Sequence, residues 1–338
     1  MHPAHRNPLH LARAVGNRLQ YTGPFLKTLG QRLVKPRQGN PVLWIHIGAH
    51  KTGTTTLQRA LDQERHSLMA HSIWFDPESI DFGEHLSMHS PLAPAELERC
   101  KAEMRGRIER RREDAVIWSS EFFFGDPELG YRNIGAVAAD LRSITEGYEV
   151  RIIASVRRQD EFIESWYHQH VKRGGCDSFQ QFLTRVGEGS FQWPALLAEY
   201  EARFGKEHLR VHLFEHFRKE APPMLEYFFG GLGIPFKIHH LPAPEFNPSF
   251  SRKALELALR CFPELEVPER KRLRNALMQA FPRLPGEKFN LLAPEERESI
   301  KELCRESNLR CFEQWFGGAS EAAKWGYLPK ADAAPPAN

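Results

Sequence analysis

From Pro41 onward, short runs of β-branched and aromatic residues alternate with longer amphipathic stretches, and this alternation limits the chain to few folds. Val42–Ile47, Ser72–Phe75, Ala115–Ser119, Val150–Val156 and Leu209–Phe214 have the length and composition of buried strands. Between them, Thr54–Met69, Pro94–Arg112, Ile134–Thr145, Asp160–Lys172 and Trp193–Phe204 carry apolar residues at helical spacing. Strands separated by helices predict an α/β fold of three layers, α/β/α, built on a central parallel sheet. Beyond Leu241 the expectation is a helical C-terminal region, with helices over Arg252–Arg260, Pro268–Ala280 and Pro294–Asn308. Residues 41–330 form the expected folded domain. Residues 331–338, small and proline-containing, are expected to be a disordered tail.

Charge sets the first 40 residues apart. They hold seven basic residues (Arg6, Arg13, Arg18, Lys27, Arg32, Lys35 and Arg37) of the chain's 46, and none of its 43 acidic ones. The remaining residues therefore carry 39 basic against 43 acidic groups, which excludes a basic nucleic-acid-binding body. Leu11, Val15 and Leu19, then Leu26, Leu29 and Leu33, recur at helical spacing among the cations. Residues 1–40 read either as a basic amphipathic segment for an anionic membrane surface or as a flexible arm. No apolar run approaches the roughly 18 residues of a membrane-spanning helix, and arginines interrupt the N-terminus where a signal peptide would be apolar. Five scattered cysteines, never in a CxxC pair, offer neither a disulfide framework nor a zinc site. The expected location is cytoplasmic, with the arm as a peripheral contact to the inner face of the membrane.

The sharpest chemical signal is Trp44-Ile-His-Ile-Gly48-Ala-His-Lys51-Thr-Gly53-Thr-Thr-Thr56-Leu-Gln58. A strand runs into a turn with two glycines and then a helix that opens on three threonines. Glycines let backbone N–H groups approach an anion, and the start of the helix adds unsatisfied donors and a favourable dipole. The P-loop of nucleotide kinases, G-x-x-x-x-G-K-[ST], fits Gly48 and Gly53 but has lysine where this chain has Thr54. Here the lysine stands three residues earlier, at Lys51.

That displaced lysine resembles the P-K-[ST]-G-[ST]-[ST] loop of sulfotransferases that use 3′-phosphoadenosine 5′-phosphosulfate, with His50 replacing proline. The resemblance implies a P-loop-nucleotide-hydrolase-like fold and a donor site formed by Lys51, Thr52, Gly53, Thr54, Thr55 and Thr56. It also implies a second site for the 3′-phosphate, made by an arginine that ends a strand and a serine eight residues later. Arg157 and Ser165 stand at that separation after Val150–Val156. A guanidinium fork can hold two oxygens of a phosphate monoester, and a helix hydroxyl can add a donor. Arg158 competes for the role, although one of two adjacent arginines commonly pairs with a surface carboxylate. A third echo is Leu209–Glu215 followed by Phe228–Ile234. Phe214 replaces the family's tyrosine there, leaving packing or stacking to the ring. The family's R-K-G-x-x-G loop is absent. Arg252 and Lys253 could substitute for it or could simply form the exposed first turn of a helix.

Glu121 follows the strand Ala115–Ser119 among Phe122, Phe123 and Phe124. In a parallel sheet it would emerge at the strand C-termini, beside the lysine loop, where aromatic neighbours raise a carboxylate pKa by desolvation. The resemblance implies a catalytic base at this place. His50 is the rival base, whereas His46 alternates with strand residues as a core histidine would. The expected reaction is in-line sulfuryl transfer to an acceptor hydroxyl, with a glycan or glycolipid as the leading acceptor and adenosine 3′,5′-bisphosphate as the spent donor. No metal is required. Two alternatives remain at this stage, a P-loop kinase of a small molecule and a non-catalytic membrane- or glycan-binding module on the same fold.

Overall fold

The computed structural model describes residues 39–220, 224–230, 250–284 and 290–330. The arm expected over 1–40 and the tail 331–338 therefore fall almost wholly outside the described residues. The first strand β1 (Val42–His46) is followed by α1 (Thr54–Gln63), α2 (Arg65–Ala70), β2 (Ile73–Phe75), α3 (Ser79–His89) and α4 (Pro94–Glu109). Then come β3 (Ala115–Ser119), α5 (Ile134–Ile144), β4 (Val150–Val156), α6 (Gln159–Lys172), α7 (Phe179–Val186), α8 (Trp193–Phe204) and β5 (Leu209–Leu213). Beyond the sheet lie α9 (Phe214–Glu220), α10 (Met224–Phe229), α11 (Arg252–Cys261), α12 (Val267–Ala280), α13 (Pro294–Leu303), α14 (Arg305–Trp315) and α15 (Ala319–Lys324).

All strand pairings are parallel, and the spatial order is β2-β3-β1-β4-β5. The strands divide their side chains between two apolar layers because alternate residues face opposite sides. Leu43, Ile45, Val116, Trp118, Ile152 and Ala154 join one core with residues of α4, α5, α6 and α8. Trp44, Ile117 and Ile153 face the other way, onto Leu57 and Leu61 of α1 and Phe228 and Phe229 of α10. The three-layer α/β/α expectation holds, as does the helical C-terminal region.

Two expected helices are broken. Thr54–Met69 is interrupted at Glu64 and Pro294–Asn308 at Cys304, where the backbone turns to φ −88°, ψ 7° and φ −94°, ψ 0°. Each of these residues ends one helix and begins the next, so apolar periodicity continued across the break. Helices α3 and α7 were not expected. Helix α7 begins with a capping box in which Ser178 and Gln181 bond each other's backbone N–H groups.

The strand order fixes where a ligand can sit. The chain runs outward from β1 to β2, returns to β3, then crosses to β4 on the other side of β1. This reversal at the central strand opens a crevice at the C-terminal ends of β1, β3 and β4. Lys51 follows β1, Glu121 follows β3 and Arg157 follows β4.

Candidate active site

The loop after β1 is held as an extension of the sheet before it turns. Ile47 N–H donates to Ile153 O at 2.8 Å and Ala49 N–H donates to Ser155 O at 3.0 Å. The backbone then enters the left-handed region at Gly48 (φ 46°), Lys51 (φ 63°) and Gly53 (φ 89°). A side chain at Gly48 would place its Cβ 2.9 Å from Thr54 Oγ1, so both the conformation and the close approach require glycine. Lys51 adopts a conformation uncommon outside glycine, and such strain concentrates at functional sites. Gly53 is the residue before α1, whose start no side chain caps, leaving first-turn N–H groups open to an anion.

The hydroxyls of this loop divide into two kinds. Thr52 Oγ1 donates to Ala49 O at 2.6 Å and is committed to holding the turn. Thr54 Oγ1 is buried with no hydrogen-bond partner. Thr55 is exposed and Thr56 half-buried on the outer turn of α1. An unsatisfied buried hydroxyl in a left-handed loop fits a ligand oxygen better than an empty turn.

Arg157 is tied directly to the loop. Its Nη1 donates to Lys51 O at 2.9 Å, and its Nη2 donates to Glu161 Oε2 at 3.1 Å. The guanidinium carbon lies 4.7 Å from the centre of the Phe214 ring, and Nε is buried without a partner. Phe214 is only half-buried, so it serves as a stacking platform for Arg157 instead of filling the core. The Arg157 backbone is fixed by Trp193 Nε1, which donates to Arg157 O at 2.9 Å. Next to it, Arg158 N–H donates to the buried Glu215 carboxylate at 2.9 Å, and Tyr327 O–H donates to the same carboxylate at 2.8 Å. The Arg158 side chain pairs with Asp160 and Glu161. Ser165 lies two turns along α6, half-buried, and no hydrogen bond joins it to Arg157.

Glu161 is surrounded by cations. Burial pushes its carboxyl upward, but the hydrogen bond from Arg218 and the charges of Arg157, Arg158 and Arg218 prevail and hold it at about 2. It is therefore ionised at neutral pH and stands as a built-in counter-anion for Arg157.

Lys51 and Glu121 perturb each other across the crevice. Burial and then the charges of Arg157, Lys172 and Arg173 lower the Lys51 ammonium to about 8, against a smaller opposing effect of Glu121. Burial raises the Glu121 carboxyl, countered by its backbone hydrogen bond, by Arg173 and Lys51, and by the Gln58 amide. Its Oε2 is buried without a partner. Gln58 also donates to Ser119 O at 3.0 Å, which ties α1 to the end of β3.

His50 is enclosed by rings, with Phe122, Trp166 and Tyr131 centred 5.0, 5.3 and 5.9 Å away. Burial, Arg173 and Lys51 lower its pKa well below the usual histidine value, so the ring is neutral. Tyr131 Oη accepts from His50 N–H at 3.3 Å. His46 bonds Ser119 Oγ at 3.0 Å through Nδ1, and burial takes it down to about 3, as suits a core histidine.

Arg252 and Lys253 form the first turn of α11, capped by Ser251, with the Lys253 ammonium 4.6 Å from the Phe281 ring centre. Sequence reasoning missed Glu161, Gln58, Trp193 and Arg218, the last three because each acts through a residue distant in sequence. Only Glu161 had a local signal, four residues after Arg157 on a helix. Among the described residues no group of three or more His, Cys, Asp or Glu side chains could hold a metal ion. No helix among them is long and apolar enough to cross a membrane.

No family model matches the chain. An uncharacterized protein of Archaeoglobus fulgidus is 28% identical over 171 residues, covering 49% of this chain and 46% of that protein. The chain thus matches about half the length of that relative. Among solved structures, the crystal structure of a sulfotransferase from Alicyclobacillus acidocaldarius is similar at a TM-score of 0.45 and 17% identity, over 85% of this chain and 99% of that one.

Proposed function

We propose that this protein is a sulfotransferase that moves a sulfuryl group from 3′-phosphoadenosine 5′-phosphosulfate to an acceptor hydroxyl. The observation that carries this reading is the bond from Arg157 to the Lys51 carbonyl, which makes one anion cradle of two loops 106 residues apart. The residues fit the donor's two phosphate groups. Thr54 Oγ1 and Arg157 Nε are buried polar atoms in need of partners, and Gly48 leaves room that a side chain would fill. One feature must yield, because Glu161 already occupies Arg157 Nη2.

In this reading the donor supplies the activated sulfuryl group, and the chain's residues orient it and manage charge. The loop N–H groups and Thr54 hold the 5′-phosphate, while Arg157, with Ser165, holds the 3′-phosphate. Glu121, with its raised pKa and unpartnered Oε2, takes the proton of the acceptor hydroxyl as that oxygen bonds to sulfur. The sulfur–oxygen bond to the 5′-phosphate breaks, and Lys51 meets the charge that develops on the bridging oxygen. His50 is a weak candidate base, since its pKa is lowered and its ring is sealed in an aromatic cage. The acceptor is read as a glycan or glycolipid hydroxyl, approached from the Glu121 side. Residues 1–40 are read as a peripheral contact with anionic membrane.

Calorimetry tests the donor site. Adenosine 3′,5′-bisphosphate should bind about ten- to a hundredfold more tightly than 5′-AMP, the equivalent of losing about 1.5–3 kcal/mol of charge-assisted bonding. Equal affinities, or tighter binding of ATP with Mg²⁺, would sink the reading.

A further inference from the structure

We infer that Trp193, Glu215 and Tyr327 clamp the peptide between Arg157 and Arg158 from both sides, and that this clamp sets the preference for a nucleotide bearing a 3′-phosphate. The inference rests on the sulfotransferase reading and deepens it, because it makes a residue near the C-terminus part of nucleotide selection.

Arg157 is the first residue beyond β4, and its peptide with Arg158 is held by no strand pairing. A trans peptide presents its C=O and its N–H on opposite sides of one plane. Trp193 Nε1 donates to Arg157 O at 2.9 Å, and Arg158 N–H donates to Glu215 Oε1 at 2.9 Å. The two bonds therefore grip the same plane from opposite edges. Rotation of that plane, which would swing the Arg157 side chain, costs one bond or both.

Each grip is anchored in the core. Trp193 is fully buried, with its ring centred 5.4 Å from Phe162 and 6.3 Å from Phe124. Glu215 is 4% exposed, and its second oxygen accepts from Tyr327 O–H at 2.8 Å. Burial raises the Glu215 carboxyl, against the hydrogen bonds from Arg158 N–H and Tyr327 O–H. Removing either donor leaves a buried carboxylate short of a partner, which is costly.

Tyr327 is itself closely placed. Its carbonyl accepts from Asn308 Nδ2 at 2.9 Å, and its ring centre lies 4.8 Å from that of Phe312. Gly326, at φ 75°, lets the chain pass close to Arg158, where a Cβ would stand 2.9 Å from Nη1. Asn308 also exchanges hydrogen bonds with the Gln159 amide, at 2.7 and 3.2 Å. Helix α14 and the segment after α15 thus brace the two residues that follow Arg157.

The guanidinium is fixed at its tip as well, by Lys51 O and the Phe214 ring. With backbone and tip both held, the buried and unpartnered Nε keeps one direction. Such preorganisation favours a ligand that carries the matching group and does nothing for one that lacks it.

The test measures the affinities of the full chain for adenosine 3′,5′-bisphosphate and 5′-AMP by calorimetry, in the parent and four single variants. Tyr327→Phe keeps the buried ring and removes only the hydroxyl. It should lower the preference for the bisphosphate by about three- to tenfold, with 5′-AMP bound as by the parent. Trp193→Phe releases the opposite edge of the peptide and should act in the same way, so if one of the two fails to fold the other decides. Glu215→Gln keeps an acceptor for Arg158 N–H and should hold the preference within about twofold. Cys311→Ala, buried in α14 and outside these bonds, should leave it unchanged. An unchanged preference in Tyr327→Phe and Trp193→Phe, equal losses for both nucleotides, or an equal fall in Cys311→Ala would overturn the inference. A fall in Glu215→Gln would also overturn it, since the carboxylate would then act by its charge on Arg157 and not by holding the peptide. A parent with no preference for the bisphosphate would instead strike the sulfotransferase reading.

Discussion

Arg157 reaches across the crevice to donate a hydrogen bond to the backbone carbonyl of Lys51, 2.9 Å away. The bond holds the carbonyl of a residue already in the left-handed region, so it fixes the loop that presents the lysine ammonium. It also leaves Arg157 Nε and one face of the guanidinium for a ligand. Arg157→Lys should therefore weaken adenosine 3′,5′-bisphosphate more than 5′-AMP, since an ammonium cannot span the carbonyl and a phosphate together. A loss of about 1.5–3 kcal/mol confined to the 3′-phosphorylated ligand is expected by calorimetry. Equal losses for both ligands would mean that Arg157 acts only by shaping the loop.

Glu161 should compete with that ligand. Its carboxylate is held at about 2 by Arg218, Arg157 and Arg158, so across the neutral range it is a fixed anion on the guanidinium the ligand needs. Glu161→Gln removes the competitor and should tighten adenosine 3′,5′-bisphosphate by about three- to tenfold. The same change leaves the arginines facing one another, so the ligand-free protein should melt earlier and recover on saturation. A depressed carboxylate stabilises the fold above its unfolded pKa and loses that contribution as the pH falls through about 2. The ligand-free parent should therefore be more stable than the variant at pH 7, a difference that vanishes toward pH 2. Weaker nucleotide binding in Glu161→Gln would show that the carboxylate organises the arginines more than it blocks them.

Glu121 and Gln58 separate chemistry from binding. Glu121→Gln should lower turnover by about 10²–10⁴ with nucleotide affinity nearly unchanged, because only the acceptor proton needs the carboxylate. Gln58→Leu removes an amide that helps hold Glu121 ionised, so the acidic limb of the turnover profile should move to higher pH. Full turnover in Glu121→Gln would return the base to His50.

Much of this site was legible from the sequence, for a physical reason. The strands are short and mostly apolar, with β2 and β3 buried on both faces, so composition marked them within a residue or two, and a parallel sheet then sends every strand C-terminus to one edge. That rule brought Glu121 to the edge where Lys51 stands, while the resemblance implied the places of Lys51 and Arg157, which follow β1 and β4. The supporting contacts were not legible, since Trp193 reaches Arg157 from 36 residues away, Glu215 reaches Arg158 from 57, and Tyr327 holds Glu215 from 112. No spacing rule connects such pairs. The breaks at Glu64 and Cys304 were equally silent, because neither a proline nor a glycine marks them.

The basic arm lies outside the described residues, and its reading stays a proposal. The full chain should co-sediment with vesicles containing anionic phospholipid at low salt, whereas a chain beginning at Asn40 should stay in solution and still bind adenosine 3′,5′-bisphosphate. Each basic residue at such a surface contributes about 1 kcal/mol, reduced by salt. Equal behaviour of the two chains would remove the arm from the membrane.

The last prediction turns on the proton of Lys51. In the ligand-free protein its pKa is lowered to about 8 by burial and by Arg157, Lys172 and Arg173, against 10.5 for the unperturbed side chain. Between those two values the unfolded chain binds the proton more tightly, so this group's cost to the folded state fades as the pH rises from 8 to 10.5. A bound phosphate reverses the balance by neutralising the surrounding cations, and Lys51 regains its proton. Adenosine 3′,5′-bisphosphate should therefore take up protons on binding at pH 8 to 9, where the ligand's own phosphates, with second pKa values of about 6, are fully ionised. Calorimetry in two buffers of different ionisation enthalpy reads this uptake directly, and Lys51→Met should abolish it. If the parent and the variant exchange the same number of protons, the ammonium does not face the phosphates, and its assigned contact with the leaving group fails.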